Sequence, residues 1–113
     1  SRSDAVFNLS RAALMTSSLF SGNLEHLRIA TQDRLHQPYR LQLIRGGDSA
    51  LRIARELGAY GSYISGAGPS IVAIIDKDNT AFEKEAQLQL KKNGIFNWRI
   101  VLLECDENGA AVL

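Results

Sequence analysis

The sequence predicts an α+β fold in which helices cover one face of a largely antiparallel sheet. Apolar residues recur at helical spacing through the first half of the chain, and β-branched and aromatic residues then dominate positions 62–76. A further helical pattern precedes the apolar run "WRIVLLEC". Helices separated from strands in this way indicate two packed layers, one of helices and one of sheet.

Composition and charge restrict the class of protein. The 113 residues are 45% hydrophobic and 22% charged, which is typical of a single globular domain. Thirteen basic and twelve acidic residues give a formal charge of +1, so a nucleic-acid partner is not expected. No apolar run approaches the roughly 20 residues that span a bilayer, and no signal peptide is evident, so we expect no membrane partner and a cytoplasmic location. The single cysteine, Cys105, excludes an internal disulfide and is predicted to pack in the core.

The first two helices are predicted to form a hairpin. Residues 4–21 have helical periodicity, and Gly22 is placed to end this helix. Asn23 is a candidate N-cap for a second helix that reaches His36, because Pro38 prevents its continuation. The segment "HQPYRLQLIRGG" is then predicted to be irregular.

Two later helices and the strands complete the prediction. Asp48 is expected to cap a third helix that ends at Gly58, and Thr80 forms a potential capping box with Glu83 for a helix that ends at Gly94. Strands are expected near residues 62–66, 70–76 and 98–105, and "AAVL" is a candidate for a short final strand.

The loop Ser65 to Ser70 separates the first two strands. Gly66 and Gly68 permit positive φ and allow another group to approach bare backbone. The loop is interpreted either as an ordinary hairpin connection or as a substrate or phosphate loop lined by backbone and hydroxyls. It is not a P-loop, because no Lys-Ser or Lys-Thr pair follows.

The segment "RLHQPYR" offers a second candidate site. Arg40 follows Pro38, and its guanidinium suits a carboxylate or phosphate, although a surface arginine is equally compatible with the pattern. Arg34 is interpreted as a solvated cation at a helix C-terminus, and His36 as a cap or surface residue. The sequence contains no metal cluster, serine triad or nucleotide fingerprint, so no catalytic residue and no metal ligand is assigned.

Three segments, "DAVFNLSRAAL", "DRLHQPYR" and "YISGAGPSIVAI", resemble the C-terminal domain of the homoserine kinase family within the GHMP small-molecule kinase superfamily. The resemblance covers nearly the whole chain. It implies a ferredoxin-like two-layer sandwich preceded by the helical hairpin, and phosphorylation of the L-homoserine hydroxyl by ATP with Mg²⁺ in threonine biosynthesis. Arg40 matches the arginine that binds the amino-acid carboxylate, and Ser65, Gly66, Ala67 and Gly68 match the glycine-rich third motif. Arg45 departs from the family, which generally has proline there.

The same resemblance implies that residues 1–113 form the substrate-side domain and that the ATP-binding domain, with its phosphate loop and magnesium ligands, is absent from this chain. The chain alone is therefore expected to be inactive. A central strand before the first helix is also expected to be missing, and unpaired strand edges recruit other strands, so a homo-oligomer is expected. Two alternatives remain open: another GHMP kinase for a small alcohol, and a non-catalytic α+β module that binds an amino acid.

Overall fold

The computed structural model describes residues 1–113 and confirms the predicted α+β class, with five α-helices and one two-stranded antiparallel sheet. None of the helices combines the length and the apolar character needed to cross a membrane. The helices are α1 (Arg2–Ser21), α2 (Leu27–Ala30), α3 (Gln37–Leu41), α4 (Gly47–Glu56) and α5 (Phe82–Lys92), and the strands are β1 (Gly61–Ile64) and β2 (Ile71–Ile74).

The hairpin of α1 and α2 is present, but its second arm is shorter than predicted. α1 ends as expected at Gly22, which adopts φ 74°. A 3₁₀ turn over Leu24–His26 leads into α2, which ends at Ala30 rather than near His36. Asn23 makes no side-chain capping bond, so the predicted cap is wrong.

The segment after α2 contains a helix that the sequence interpretation missed. The Asp33 carboxylate accepts hydrogen bonds from the backbone N–H groups of residues 35–37, at 2.7 to 3.2 Å. Pro38 lies in the first turn of α3, where a missing N–H removes no helical bond. Pro38 therefore helps to begin a helix, and the prediction that residues 37–41 are irregular was wrong.

The two helices that pack on the sheet begin without the predicted caps. α4 begins after Gly46, which has φ 81°, and Asp48 lies within its first turn without capping it. α5 begins after Ala81, and no side chain caps it, so the Thr80 and Glu83 capping box is not formed. Burial of their apolar faces stabilises these helices more than capping does.

The core lies between α4, α5 and one face of the sheet. The strands pair antiparallel from Gly61 with Ile74 to Ile64 with Ile71, which confirms both predicted strands with shorter bounds. Ala73 and Ile75 pack against a buried apolar cluster. The cluster consists of Ile53, Ala54, Ala59, Phe82, Ala86, Leu90 and Ile95.

The predicted strand at 98–105 is not formed, and neither is the predicted short strand "AAVL". Residues 96–113 make no backbone-to-backbone hydrogen bond. Trp98 is nevertheless anchored, because its indole Nε1 donates to the Arg45 carbonyl at 3.1 Å, and Ile100 packs against the core. The segment lines an apolar groove of about 430 Å³ together with β2, instead of pairing with it. Cys105 is exposed, so its predicted place in the core was also wrong.

One buried polar atom in α1 allows a stability test. Ser18 is 0% exposed, and its Oγ has no hydrogen-bond partner. Ser18→Ala should raise the free energy of unfolding by about 1 kcal/mol more than Ser17→Ala, because both gain helix propensity but only Ser18 loses an unpaired buried hydroxyl. Ser17 is exposed on the same helix and serves as the matched control. Equal melting temperatures for the two variants would show that the Ser18 hydroxyl finds a partner in solution.

Candidate functional site

The glycine-rich loop is a closed hairpin connection between β1 and β2. Ser65 N–H donates to the Ser70 carbonyl at 2.9 Å, and Gly68 N–H donates to the Ser65 carbonyl at 3.0 Å. Gly66 and Gly68 have φ values of 56° and 81°, in the left-handed region that favours glycine. The backbone of residues 65–70 therefore forms a hairpin connection, and any ligand binding by this loop depends on its exposed tip.

The two glycines face different surroundings. A Cβ on Gly68 would lie 2.8 Å from Ile44 Cδ1, so this glycine permits close packing of the loop on the protein. A Cβ on Gly66 would meet no atom within 4 Å, so this glycine faces open space. The N–H groups of Gly66 and Ala67 donate no hydrogen bond within the chain, and both residues are exposed. The tip of the loop thus offers two free backbone donors to an anionic oxygen.

Arg40 joins this loop to α3. Its Nε and Nη2 groups donate to the Ala67 carbonyl at 2.9 and 2.6 Å. A guanidinium has five N–H donors, so about three remain, on the edge formed by Nη1 and Nη2. That edge can hold a carboxylate end-on with two hydrogen bonds. The structure therefore brings together Arg40 and the loop Ser65–Gly68, which the sequence placed 25 or more positions apart.

A buried glutamine lies beneath this contact. Gln37 is 9% exposed, and its Oε1 accepts a hydrogen bond from Ile64 N–H at 2.7 Å. Its Nε2 donates to the Thr31 carbonyl at 3.2 Å. The sequence analysis did not identify Gln37, whose only signal there was a polar side chain three positions before Arg40 in the same segment.

Asp33 is a second residue that the sequence analysis missed. Its carboxylate accepts a hydrogen bond from Asn8 Nδ2 at 2.6 Å, in addition to the backbone bonds at the start of α3. Partial burial raises the pKa of Asp33, but the Asn8 bond and the three backbone bonds outweigh it and hold the pKa below its ordinary value. Asp33 therefore stays ionised at neutral pH and fixes the start of α3 to α1.

The other polar residues of the "DAVFNLSRAAL" and "DRLHQPYR" segments have structural contacts. Asn8 also accepts a hydrogen bond from Arg34 N–H at 2.9 Å, so it holds the connection after α2 against α1. Arg34 and Arg11 stack on the Phe7 ring, at 3.8 and 3.7 Å from its centroid. Arg34 lies in the connection after α2, so its predicted place at a helix C-terminus was wrong.

The site has donors for oxygen ligands but no evident metal ligands. Its free groups are the loop N–H donors, the loop hydroxyls and the outer edge of Arg40. No group of three or more histidine, cysteine, aspartate or glutamate side chains is placed to hold a metal ion. The arrangement therefore suits a small anion such as a carboxylate or a phosphate.

Comparisons with known proteins show which family the chain resembles. The sequence profile described as "GHMP kinases C terminal" matches residues 13–94. The chain is 47% identical over 110 residues to a homoserine kinase of Caldicellulosiruptor saccharolyticus, covering 96% of this chain and 36% of that protein. It is 39% identical over 115 residues to a homoserine kinase of Clostridium acetobutylicum, covering 100% of this chain and 38% of that protein.

A solved structure has the same fold. The crystal structure of homoserine kinase from Cytophaga hutchinsonii matches with a TM-score of 0.72 and 25% identity, over 82% of this chain and 30% of that one. The chain spans 36 to 38% of the length of the two curated relatives above. The profile covers most of the chain, and the predicted resemblance to GHMP kinases is confirmed: the chain belongs to the family of GHMP kinase C-terminal domains.

Proposed function

We propose that the chain is the substrate-side domain of an ATP-dependent homoserine kinase. The observation that carries the proposal is the contact between Arg40 and the Ala67 carbonyl, which sets a guanidinium edge beside a glycine-rich loop with free N–H donors. Relatives named homoserine kinase match nearly all of the chain at 35 to 47% identity, which supports this choice of substrate over other small alcohols.

In this proposal the outer edge of Arg40 binds the carboxylate of L-homoserine. The loop N–H groups of Gly66 and Ala67 then lie near the substrate and the transferred phosphoryl group, where donors to oxygen stabilise developing charge. Phosphoryl transfer depends mainly on positioning and on electrostatic neutralisation of the phosphates. A rigid arginine and an adjacent loop of bare backbone supply positioning of this kind.

ATP and Mg²⁺ are bound elsewhere in this proposal. Mg²⁺ prefers carboxylate and phosphate oxygens, whereas the groups around Arg40 and the loop are N–H and O–H donors. The Asp33 carboxylate is occupied by backbone and Asn8 donors. We therefore assign the ATP-binding domain to a part of the kinase other than these 113 residues, and we expect the 113 residues alone to be inactive. We also propose that the enzyme is cytoplasmic.

We also propose that the chain self-associates through the unpaired edge of β2. Because Ser65 and Ser70 form a hydrogen-bonded pair, alternation turns the backbone groups of Ile71 and Ala73 away from β1, towards the unpaired edge. Beside this edge lies the groove of about 430 Å³, lined mostly by apolar residues. An open apolar edge pairs readily with another strand, and we assign a strand from a second copy of the chain to it.

Sedimentation velocity of the 113-residue chain over a range of micromolar concentrations tests this association. We expect the mean sedimentation coefficient to rise with concentration. Ala73→Pro should reduce the rise, because proline removes the N–H that faces the open edge and leaves the bonds to β1 in place. Ala110→Pro, in the exposed tail, is the control. A monomer at every concentration would contradict the proposal.

The role of Arg40 is tested in the full-length kinase that contains this domain. Arg40→Ala should reduce kcat/KM for homoserine by an amount equivalent to about 2 to 4 kcal/mol, and Arg40→Lys by less, because lysine cannot replace the planar fork. The KM for homoserine should rise far more than the KM for ATP. Arg55→Ala is the control, since Arg55 is an exposed arginine on α4. Equal changes in both KM values would argue that Arg40 only holds the loop.

Gly66→Val in the same enzyme tests whether the loop tip approaches a ligand. Gly94 is the matched control, because it has φ 73° and a Cβ placed on it would also meet no atom within 4 Å, so both substitutions strain the backbone alike. Both valine variants should lose similar thermal stability, but only Gly66→Val should lose at least about tenfold in kcat/KM. Near-normal activity of Gly66→Val would favour a simple turn.

A further inference from the structure

We propose that Gln37 is the positioning residue that sets Arg40 against the glycine-rich loop. This proposal rests on the proposed function, in which Arg40 binds the substrate carboxylate. Gln37 precedes Arg40 by three positions on α3, so the two side chains project from neighbouring positions on the same side of the helix. Gln37 accepts a hydrogen bond from Ile64 N–H at the end of β1, and Arg40 donates to the Ala67 carbonyl within the loop.

The bond from Ile64 N–H to Gln37 satisfies a backbone donor that has no partner within the sheet. Ser65 and Ser70 form a hydrogen-bonded pair, so alternation turns the N–H of Ile64 away from β2. Ile64 is 5% exposed, and a buried N–H without a partner is costly. Gln37 Oε1 supplies that partner at 2.7 Å, one residue before the loop begins at Ser65.

The other end of the amide makes the contact specific to glutamine. Gln37 Nε2 donates to the Thr31 carbonyl at 3.2 Å, so the site requires an acceptor at one end of the side chain and a donor at the other. An ionised glutamate presents acceptors only, and one of its oxygens would face the Thr31 carbonyl. A protonated glutamate restores a donor.

The hydrogen bonds of Gln37 and Arg40 attach α3 to the sheet and to the loop. Gln37 fixes α3 to the last residue of β1, and Arg40 fixes the same helix to Ala67 within the loop. These two attachments determine how the outer edge of the guanidinium lies relative to the loop N–H groups. Loss of the first attachment lets α3 shift relative to the loop, and small displacements of positioning groups weaken substrate binding strongly.

The experiment compares Gln37→Glu with wild type in the full-length kinase, between about pH 5.5 and about pH 8.5, which brackets the raised pKa expected for a buried glutamate. At the upper end, the ratio of the homoserine KM of Gln37→Glu to that of wild type should be about tenfold, with the ATP KM little changed. The ratio should fall towards one as the pH is lowered, because the protonated carboxyl can again donate to Thr31. Gln42→Glu, at an exposed position just after α3, should give a ratio near one throughout.

A ratio for Gln37→Glu that equals one at every pH, or parallel changes in kcat and both KM values, would overturn the proposal. Gln37→Met covers the case in which the glutamate variant does not fold: it should raise the homoserine KM without the pH dependence, and a wild-type KM would overturn the proposal as well. If wild type itself does not phosphorylate homoserine, the proposed function fails. The ¹⁵N resonances of Arg40 Nε and Ala67 in Gln37→Glu then test the positioning alone, since unchanged resonances over the same pH range would refute it.

Discussion

The peptide unit between Ala67 and Gly68 is the point on which the candidate site depends. Its carbonyl accepts two hydrogen bonds from the Arg40 guanidinium, and its N–H donates to the Ser65 carbonyl. Because a trans peptide unit is planar, fixing both ends fixes the plane. Bonds from a charged donor are about twice as strong as neutral ones, so this plane holds the loop against α3 even though the Arg40 bonds are exposed.

The packing beneath the loop supports the same geometry without specifying it. Ile44 lies where a side chain on Gly68 would otherwise be, so the loop can approach the protein only because that residue is glycine. Apolar contact of this kind is not directional, whereas the hydrogen bonds of Gln37 and Arg40 select one orientation of the backbone. Packing therefore sets how closely the loop approaches the protein, and a few hydrogen bonds set the orientation of its backbone.

Patterns within single segments were enough to predict most of the fold, and long-range partners explain the rest. The periodicity of residues 4–21 and the β-branched residues of 62–76 predicted α1 and both strands, because each pattern reports burial of one face. The segment 98–105 has the same β-rich character but forms no strand, since a strand requires a neighbour and none pairs with it here. The start of α3 depends on Asp33, whose carboxylate also bonds Asn8, 25 positions away in the sequence.

In the site, too, residue type identifies some functional residues, whereas others are identified only by their hydrogen-bond partners. Arg40 and the residues Ser65 to Gly68 could be selected as candidates from chemistry and resemblance, because a guanidinium suits an anionic group and bare glycine backbone permits close approach. Gln37 could not, since a glutamine one turn before an arginine gives no sign that its amide will meet Ile64, 27 positions later. The role of such a side chain can be identified only from the fold, which places an unpaired backbone donor of the sheet next to it. Supporting residues should therefore be sought among buried amides that satisfy the backbone next to a functional loop, where neither charge nor sequence pattern identifies them.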